Sequence, residues 1–187
     1  MRPVPDRLHF TEDDGANALI AQDPLALLIG FALDQQVTVQ QAFTGPKKLQ
    51  DRLGRLDAEE LAGMDPGKLE SVFREKPAIH RFPGNMARRV QELSAAIVSE
   101  YGGDAARVWT DATDDADLRR RIAALPGFGE MKIKALGAVL AKRFGVAAAQ
   151  GLVPGHPTLG DVDSHEALER YQDAKRAHKA RMRQQRA

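Results

Sequence analysis

The residues best suited to binding chemistry form a short turn with two glycines, Leu125-Pro126-Gly127-Phe128-Gly129. Apolar residues at helical spacing flank this turn, so we expect it to join two helices, and its glycines permit positive φ angles and close approach of another backbone. The N–H groups that begin the second helix have no partner within that helix, and the positive helix end favours an anion such as a DNA phosphate. Glycines in such turns often serve only to reverse the chain, so phosphate binding and a purely structural turn both stay open.

The turn resembles the hairpin of the helix-hairpin-helix superfamily of DNA glycosylases and lyases typified by endonuclease III, which reads Leu-Pro-Gly-hydrophobic-Gly. Two more segments resemble that family in the same chain order. Residues 33–38 (LDQQVT) resemble its Leu-Ser-x-Gln-x-Thr segment, and residues 162–165 (VDSH) resemble its Val-Asp-Thr-His segment. The resemblance covers roughly residues 23–170 and implies a compact, all-α fold of the HhH-GPD DNA-glycosylase type.

The resemblance also implies roles for particular side chains. Gln35 or Gln36 would fill or probe the gap that an everted nucleotide leaves, although a polar helix end whose amides satisfy loop backbone groups explains them equally well. Asp163 would lie near the target sugar, where a carboxylate stabilises developing positive charge or activates a nucleophile. Asp161 competes for this role because the alignment across the preceding loop is not fixed, and either aspartate could instead cap the terminal helix.

The sequence departs from the family in the helix after the hairpin. Bifunctional members carry there a lysine whose amine attacks the sugar C1′ atom and permits strand cleavage, and the aligned residue in this chain is Met131. Lys132 is about 100° around the helix from that position and Lys134 is near one turn on, so neither inherits the role by alignment. A monofunctional glycosylase, which cleaves only the N-glycosidic bond of a damaged base, is therefore the predicted activity.

A long loop weakens the case for catalysis. Residues 146–160 are rich in glycine and proline, resist regular structure and separate the hairpin from the two aspartates. Such a loop either lines a specialised pocket or marks a remodelled cleft, so a non-catalytic DNA-binding or damage-sensing module is the alternative function. The DNA-binding residues that we predict are Leu125, Pro126, Gly127, Phe128, Gly129, Lys132, Lys134, Gln35 and Gln36.

The composition limits the cofactors and the partners. The chain has no cysteine, which excludes disulfides, thiolate catalysis and iron–sulfur clusters held by cysteine. The histidines lack partners at metal-ligand spacing, so we predict no metal site and no cofactor. Binding of a monovalent cation at the hairpin stays open. The expected partner is double-stranded, damaged DNA, with no membrane partner, and the expected location is cytoplasmic and associated with the nucleoid.

The elements that must position these residues are predicted to be helices. Hydrophobic residues make up 43% of the 187-residue chain and aromatic residues only 5%, a balance that favours helices over strands. Asp23-Pro24 begins a buried helix that runs to about Asp34, and the next helix is broken at Gly45-Pro46. A helix from Met131 to Phe144, capped by Gly145, follows the hairpin.

We divide the chain into an N-terminal segment (1–22) that packs on the core, a helical core (23–145) with the hairpin at about 118–144, the loop 146–160, and a C-terminal basic helix (161–187) that returns to the core. The formal net charge is only +1. The last residues nevertheless carry many more basic than acidic side chains, and the sequence favours a solvated helix face over phosphate contact for them. For the turn His80-Arg81-Phe82-Pro83, the packed start of a helix is likewise favoured over a contact with DNA.

Overall fold

The computed structural model describes residues 4–187, and this part of the chain forms ten α-helices and two short 3-10 segments with no strand. The helices are α1 (Asp14–Gln22), α2 (Pro24–Leu33), α3 (Val39–Leu53), α4 (Ala58–Gly63), α5 (Pro66–Arg74), α6 (Pro83–Tyr101), α7 (Arg107–Thr110), α8 (Asp115–Ala123), α9 (Glu130–Lys142) and α10 (His165–Arg186), and the 3-10 segments are Ala147–Leu152 and Leu159–Asp161. The predicted all-α class is confirmed. Residues 1–3 of the predicted N-terminal segment lie outside the described residues.

Helix α2 forms the centre of the core. Asp23 caps it, because its Oδ1 accepts hydrogen bonds from the N–H groups of Leu25 at 2.9 Å and Ala26 at 3.4 Å, and Pro24 occupies the first helical position as predicted. Every residue of α2 after Pro24 is buried. Helix α2 packs against α1, α3 and α6, so its end is held where the chain leaves the core.

Helix α3 runs unbroken through Gly45-Pro46, so the predicted break at this point is wrong. Pro46 removes the hydrogen bond to the carbonyl of residue 42, but burial of the apolar face against α2 outweighs this loss. Gly45 permits the close approach, because a Cβ atom there would lie 2.4 Å from Cδ1 of Leu33. Edge-to-face packing of Phe31 on Phe43, with ring centroids 5.0 Å apart, completes the contact.

The hairpin joins α8 to α9. Gly145 adopts φ +64° just beyond α9, and the N–H of Val146 donates to the carbonyl of Leu140 at 3.0 Å, so the predicted glycine cap is confirmed. The expectation that 146–160 lacks regular structure is wrong in part, because Ala147–Leu152 is a 3-10 helix. It is ordered by packing, since Ala149 is fully buried and Leu152 contacts α9 at Gly137.

Helix α10 begins two residues later and ends two residues later than the predicted range of about 163–184. Ser164 is its N-cap, accepting a hydrogen bond from the N–H of Ala167 at 3.1 Å, so neither Asp161 nor Asp163 caps this helix. Its first turns pack on the core through Ala167 and Leu168. From Asp173 to its end the helix is exposed.

Within residues 4–187, no single helix has the length and apolarity of a membrane span. The pair α1 and α2 passes the same test together by length and composition, with a bend of 114° between them. The same part of the chain contains no group of three or more His, Cys, Asp or Glu side chains that could hold a metal ion.

Candidate functional site

The hairpin turns its side chains inward and its backbone outward. Leu125 and Phe128 are buried in the core, and the N–H of Phe128 donates to the carbonyl of Leu125 at 3.2 Å. Gly127 has φ +82°, a conformation that residues with a side chain rarely adopt, and a Cβ atom there would lie 2.0 Å from Nη1 of Arg89 on α6. Glycine is therefore required at Gly127 for reasons internal to the fold.

Gly129 is different, because it faces open space. Its backbone is extended, no side chain caps the start of α9 there, and a Cβ atom would meet nothing within 4 Å. The first N–H groups of α9 are therefore accessible to an anion. The carboxylate of Glu130 at this helix start is paired with Arg119 and, at 3.8 Å, with Lys134, and the bond from Arg119 lowers its pKa. These two cations offset the one negative charge that would oppose an incoming phosphate.

Beside the hairpin lies a cavity of about 910 Å³, which we call the main cavity. Its walls come from the end of α2, the start of α9, the segment 156–159 and the middle of α10. The ionisable side chains that line it are Asp34, Arg81, Glu130, Lys132, Lys134, His156, Tyr171, Lys175 and Lys179. Its volume is within the range of small-ligand sites, and its lining carries more charge than that of a typical apolar ligand pocket.

Lys132 lines the main cavity, as Lys134 of the same helix also does. It is half-buried, and its Nζ atom donates to the carbonyl of Ala32 at 3.3 Å and lies 5.9 Å from the centre of the Phe128 ring. Burial lowers the pKa of the Lys132 amine, and the negative charge of Asp34 partly opposes this shift. Met131, at the position aligned with the family's lysine, lies at the rim with 81% of its surface exposed.

Asp34 lines the main cavity together with the paired carboxylate of Glu130, and no site role was predicted for Asp34 from the sequence. It follows the last turn of α2 and is half-buried. Burial raises the pKa of the Asp34 carboxyl, while the positive charges of Lys175 and Lys132 act to lower it. Burial and the charge of Asp34 together raise the pKa of Tyr171. The one sequence signal for a site role of Asp34 is that the family's Leu-Ser-x-Gln-x-Thr segment has serine at this position and this chain has an acidic residue.

The two aspartates proposed from the sequence lie elsewhere. Asp161 accepts a hydrogen bond from the N–H of Thr158 at 2.9 Å and pairs with Lys142. Burial acts to raise the pKa of Asp161, but the bonds from Lys142 and Thr158 leave it lowered. Asp161 therefore serves a capping box of the 3-10 segment. Asp163 is exposed, has no hydrogen bond or ion pair within residues 4–187, and is not among the described residues that line the main cavity.

The two glutamines are exposed at the turn after α2. Gln36 has φ +58°, the left-handed conformation that costs a residue with a side chain roughly 1–2 kcal/mol. Gln36 lines both the main cavity and a second cavity of about 450 Å³, which lies between this turn and the first half of α6. Gln35 lines the second cavity but not the main cavity, and the exposed ring of Phe82 lies beside it in the second cavity. Gln36 thus separates the two cavities.

A buried histidine holds this turn in place. His80 is 1% exposed, and its Nε2–H lies 3.1 Å from the carbonyl oxygens of both Leu33 and Gln35. Its Nδ1 atom accepts the N–H of Phe82 at 3.0 Å. Burial lowers the pKa of His80, so the neutral ring is favoured. Pro83 begins α6 as expected, but within the turn 80–83 His80 alone is buried, since Arg81 and Phe82 are exposed and Phe82 borders the second cavity.

Comparison with known families identifies one match. The family model described as HhH-GPD superfamily base excision DNA repair protein matches residues 29–187, which contain the hairpin, both glutamines and every residue of the main cavity. Neither the curated proteins nor the solved structures contain a match.

Proposed function

Since this chain belongs to the HhH-GPD superfamily of base excision DNA repair proteins, we propose that it is a monofunctional DNA glycosylase that releases a damaged base from duplex DNA. The family implies base excision repair and a DNA substrate. The observation that carries the finer proposal is the main cavity beside the hairpin, with the Asp34 carboxylate inside it and the open helix start of α9 next to it.

The hairpin and the cavity divide the work of binding. The N–H groups at the start of α9 hold a backbone phosphate, which positions the duplex without reading its sequence. The damaged nucleotide leaves the base stack at a cost of a few kcal/mol and enters the main cavity. Gln36, at the wall between the cavities, fills the gap that this nucleotide leaves.

Asp34 supplies the carboxylate for base release. The C1′–N bond breaks with its electron pair leaving on the base, which takes a proton from solvent, and a water oxygen bonds to C1′. Asp34 takes the proton of that water, and a carboxyl group whose pKa is raised by burial is a better proton acceptor than an ordinary one. Its charge also stabilises the positive charge that develops on the sugar.

A second candidate is a combined glycosylase and lyase, which the position of Lys132 favours. An amine whose pKa is lowered by burial is unprotonated, and so nucleophilic, at a lower pH than an exposed lysine. In that reaction the Nζ atom of Lys132 bonds to C1′ as the base departs, and the resulting Schiff base permits strand cleavage. Trapping with borohydride on a duplex that carries an abasic site separates the two candidates.

The proposal is tested by single-turnover base release from duplexes that carry alkylated, oxidised or deaminated bases. Replacing Asp34 by Asn should lower the rate of the best substrate by at least about 10²-fold, roughly 2.7 kcal/mol of transition-state stabilisation, with DNA affinity nearly unchanged. Asp161→Asn and Asp163→Asn are the matched controls, because these are the two aspartates that the family resemblance indicated and neither lines the main cavity. A loss confined to Asp163→Asn would return the role to that residue.

Wild-type protein that releases no base from any duplex, yet prefers damaged over intact DNA, would instead support the non-catalytic damage-sensing module.

We also propose a monovalent cation at the hairpin. Such a turn supplies backbone carbonyl oxygens, which are ligands that these cations prefer.

A further inference from the structure

The second half of α10 is an exposed and strongly basic surface that begins at the main cavity. Every residue from Asp173 to Ala187 is exposed. Residues 174–187, which we call the C-terminal basic segment, contain no acidic side chain and these basic ones: Lys175, Arg176, Lys179, Arg181, Arg183 and Arg186.

The segment lacks the features that would attach it to a protein core or to a lipid surface. Its one large apolar side chain is Met182, which is 40% exposed, so no apolar stripe runs along it. An amphipathic helix that binds a membrane needs such a stripe. Within residues 4–187 the only ion pair of the segment joins Arg176 to Asp173, and beyond it Lys175 alone contacts the rest of the protein, with its Nζ atom 5.8 Å from the centre of the Tyr171 ring.

Its charges also oppose one another. Lys175, Lys179 and Arg183 follow at intervals of four residues on one helix face, and like charges at this spacing destabilise a helix. A polyanion that neutralises them removes this repulsion. The charge pattern therefore favours an anionic partner, and the phosphate backbone of duplex DNA has one charge about every 1.7 Å along its axis.

The location of the segment selects DNA among anionic partners. Gln172 anchors its base through two reciprocal hydrogen bonds with Gln40, at 2.6 and 3.0 Å. Lys175 and Lys179 line the main cavity across from Lys132 and the open start of α9. From there the helix continues outward for roughly 20 Å, given a rise of about 1.5 Å per residue.

We propose that the C-terminal basic segment binds backbone phosphates of the duplex that flanks the everted nucleotide. This inference rests on the proposed function only in taking duplex DNA as the molecule that faces the main cavity. The segment supplies affinity that is independent of base identity, while the main cavity deals with the damaged nucleotide.

The test compares two triple variants with the same change in net charge. Arg181→Gln, Arg183→Gln and Arg186→Gln together neutralise the segment away from the cavity. Arg7→Gln, Arg55→Gln and Arg107→Gln form the control, because each of these arginines is already paired with a carboxylate elsewhere on the surface. The dissociation constant for an intact duplex is measured from low to physiological salt.

Each phosphate contact contributes about 0.9 to the slope of log affinity against log salt, so the segment variant should lower that slope by about 2–3. Its affinity at low salt should fall about tenfold or more, with the control near wild type. An unchanged slope, or an equal loss in the control, would overturn the proposal. So would a variant that loses binding to anionic phospholipid vesicles and keeps its DNA affinity. Because the readout is binding to intact DNA, it stands even where base release is absent.

Discussion

The Nε2 atom of His80 lies 3.1 Å from the carbonyl oxygen of Gln35, and this contact joins the glutamine turn to the turn that presents Phe82. The two segments are 45 residues apart in the chain. One buried ring therefore sets the relative positions of both elements that border the second cavity. Its neutral form is required, because Nδ1 must accept the Phe82 N–H while Nε2 donates.

Protonation of His80 is accordingly expected to destabilise the fold. The pKa of His80 in the folded protein is lowered from the ordinary value of 6.5. Its contribution to stability is therefore complete above pH 6.5 and is lost as the pH falls from there through the lower pKa of the folded state. Urea unfolding across this range should show the loss in wild type and a much smaller loss in His80→Gln.

The matched control is His178→Gln on the exposed part of α10. At pH 8, His80→Gln should cost about 2–4 kcal/mol because it disturbs a buried network of three backbone groups, whereas the control should cost little. Equal acid sensitivity of wild type and His80→Gln would contradict the assigned role.

The hairpin prediction concerns Gly129, because adding a side chain there affects only the surface. Gly129→Val should lower the free energy of unfolding by only about 1 kcal/mol, because glycine is preferred over valine at a helix N-cap but the added side chain meets no neighbour. It should weaken DNA binding about tenfold or more, since a hydrogen bond to a charged group contributes roughly 1.5–3 kcal/mol and the valine occupies the path of the phosphate.

Gly63→Val at the end of α4 is the control for Gly129→Val, since a Cβ atom there also meets nothing within 4 Å. Fluorescence anisotropy with an intact duplex measures both variants. Unchanged affinity of Gly129→Val would show that no phosphate approaches the start of α9. Gly127→Val is less informative, because its φ angle and the contact with Arg89 would strain the fold.

Local signals were enough to predict the start of α2 and the cap of α9, but not the continuation of α3 or the contents of the cleft. The Asp23-Pro24 start and the Gly145 cap depend on residues within one turn of the helix end, and both are visible in the sequence. The continuation of α3 through Pro46 depends on packing against α2, which no local signal reports. Asp34 meets Lys132 and Lys175 only because α9 and α10 close over the end of α2. Its role could not be predicted before these contacts were known.

The monofunctional proposal predicts that borohydride traps no covalent adduct on a duplex with an abasic site. Lys132 is held by the carbonyl of Ala32, and Met131 occupies the aligned position. Met131→Lys is the positive control, because this exposed position at the rim accepts a lysine without loss of packing. A wild-type adduct that disappears in Lys132→Met and persists in Lys134→Met would establish the glycosylase and lyase candidate instead.

Gln36 should show a trade of stability for function. Its left-handed backbone costs roughly 1–2 kcal/mol, and glycine avoids this cost while losing up to about 1 kcal/mol through greater freedom of the unfolded chain. Gln36→Gly is therefore expected to melt at or above the wild-type temperature. It should also release base about tenfold more slowly, because the amide that fills the gap left by the everted nucleotide is gone. Gln35→Gly is the control, because the φ angle of Gln35 is not positive and its side chain lines the second cavity but not the main cavity. The Gln35→Gly protein should be less stable than wild type. Calorimetry and single-turnover base release measure the two quantities on the same preparations. A Gln36→Gly protein that melts lower and keeps full activity would show that the strained backbone serves the fold and not the DNA.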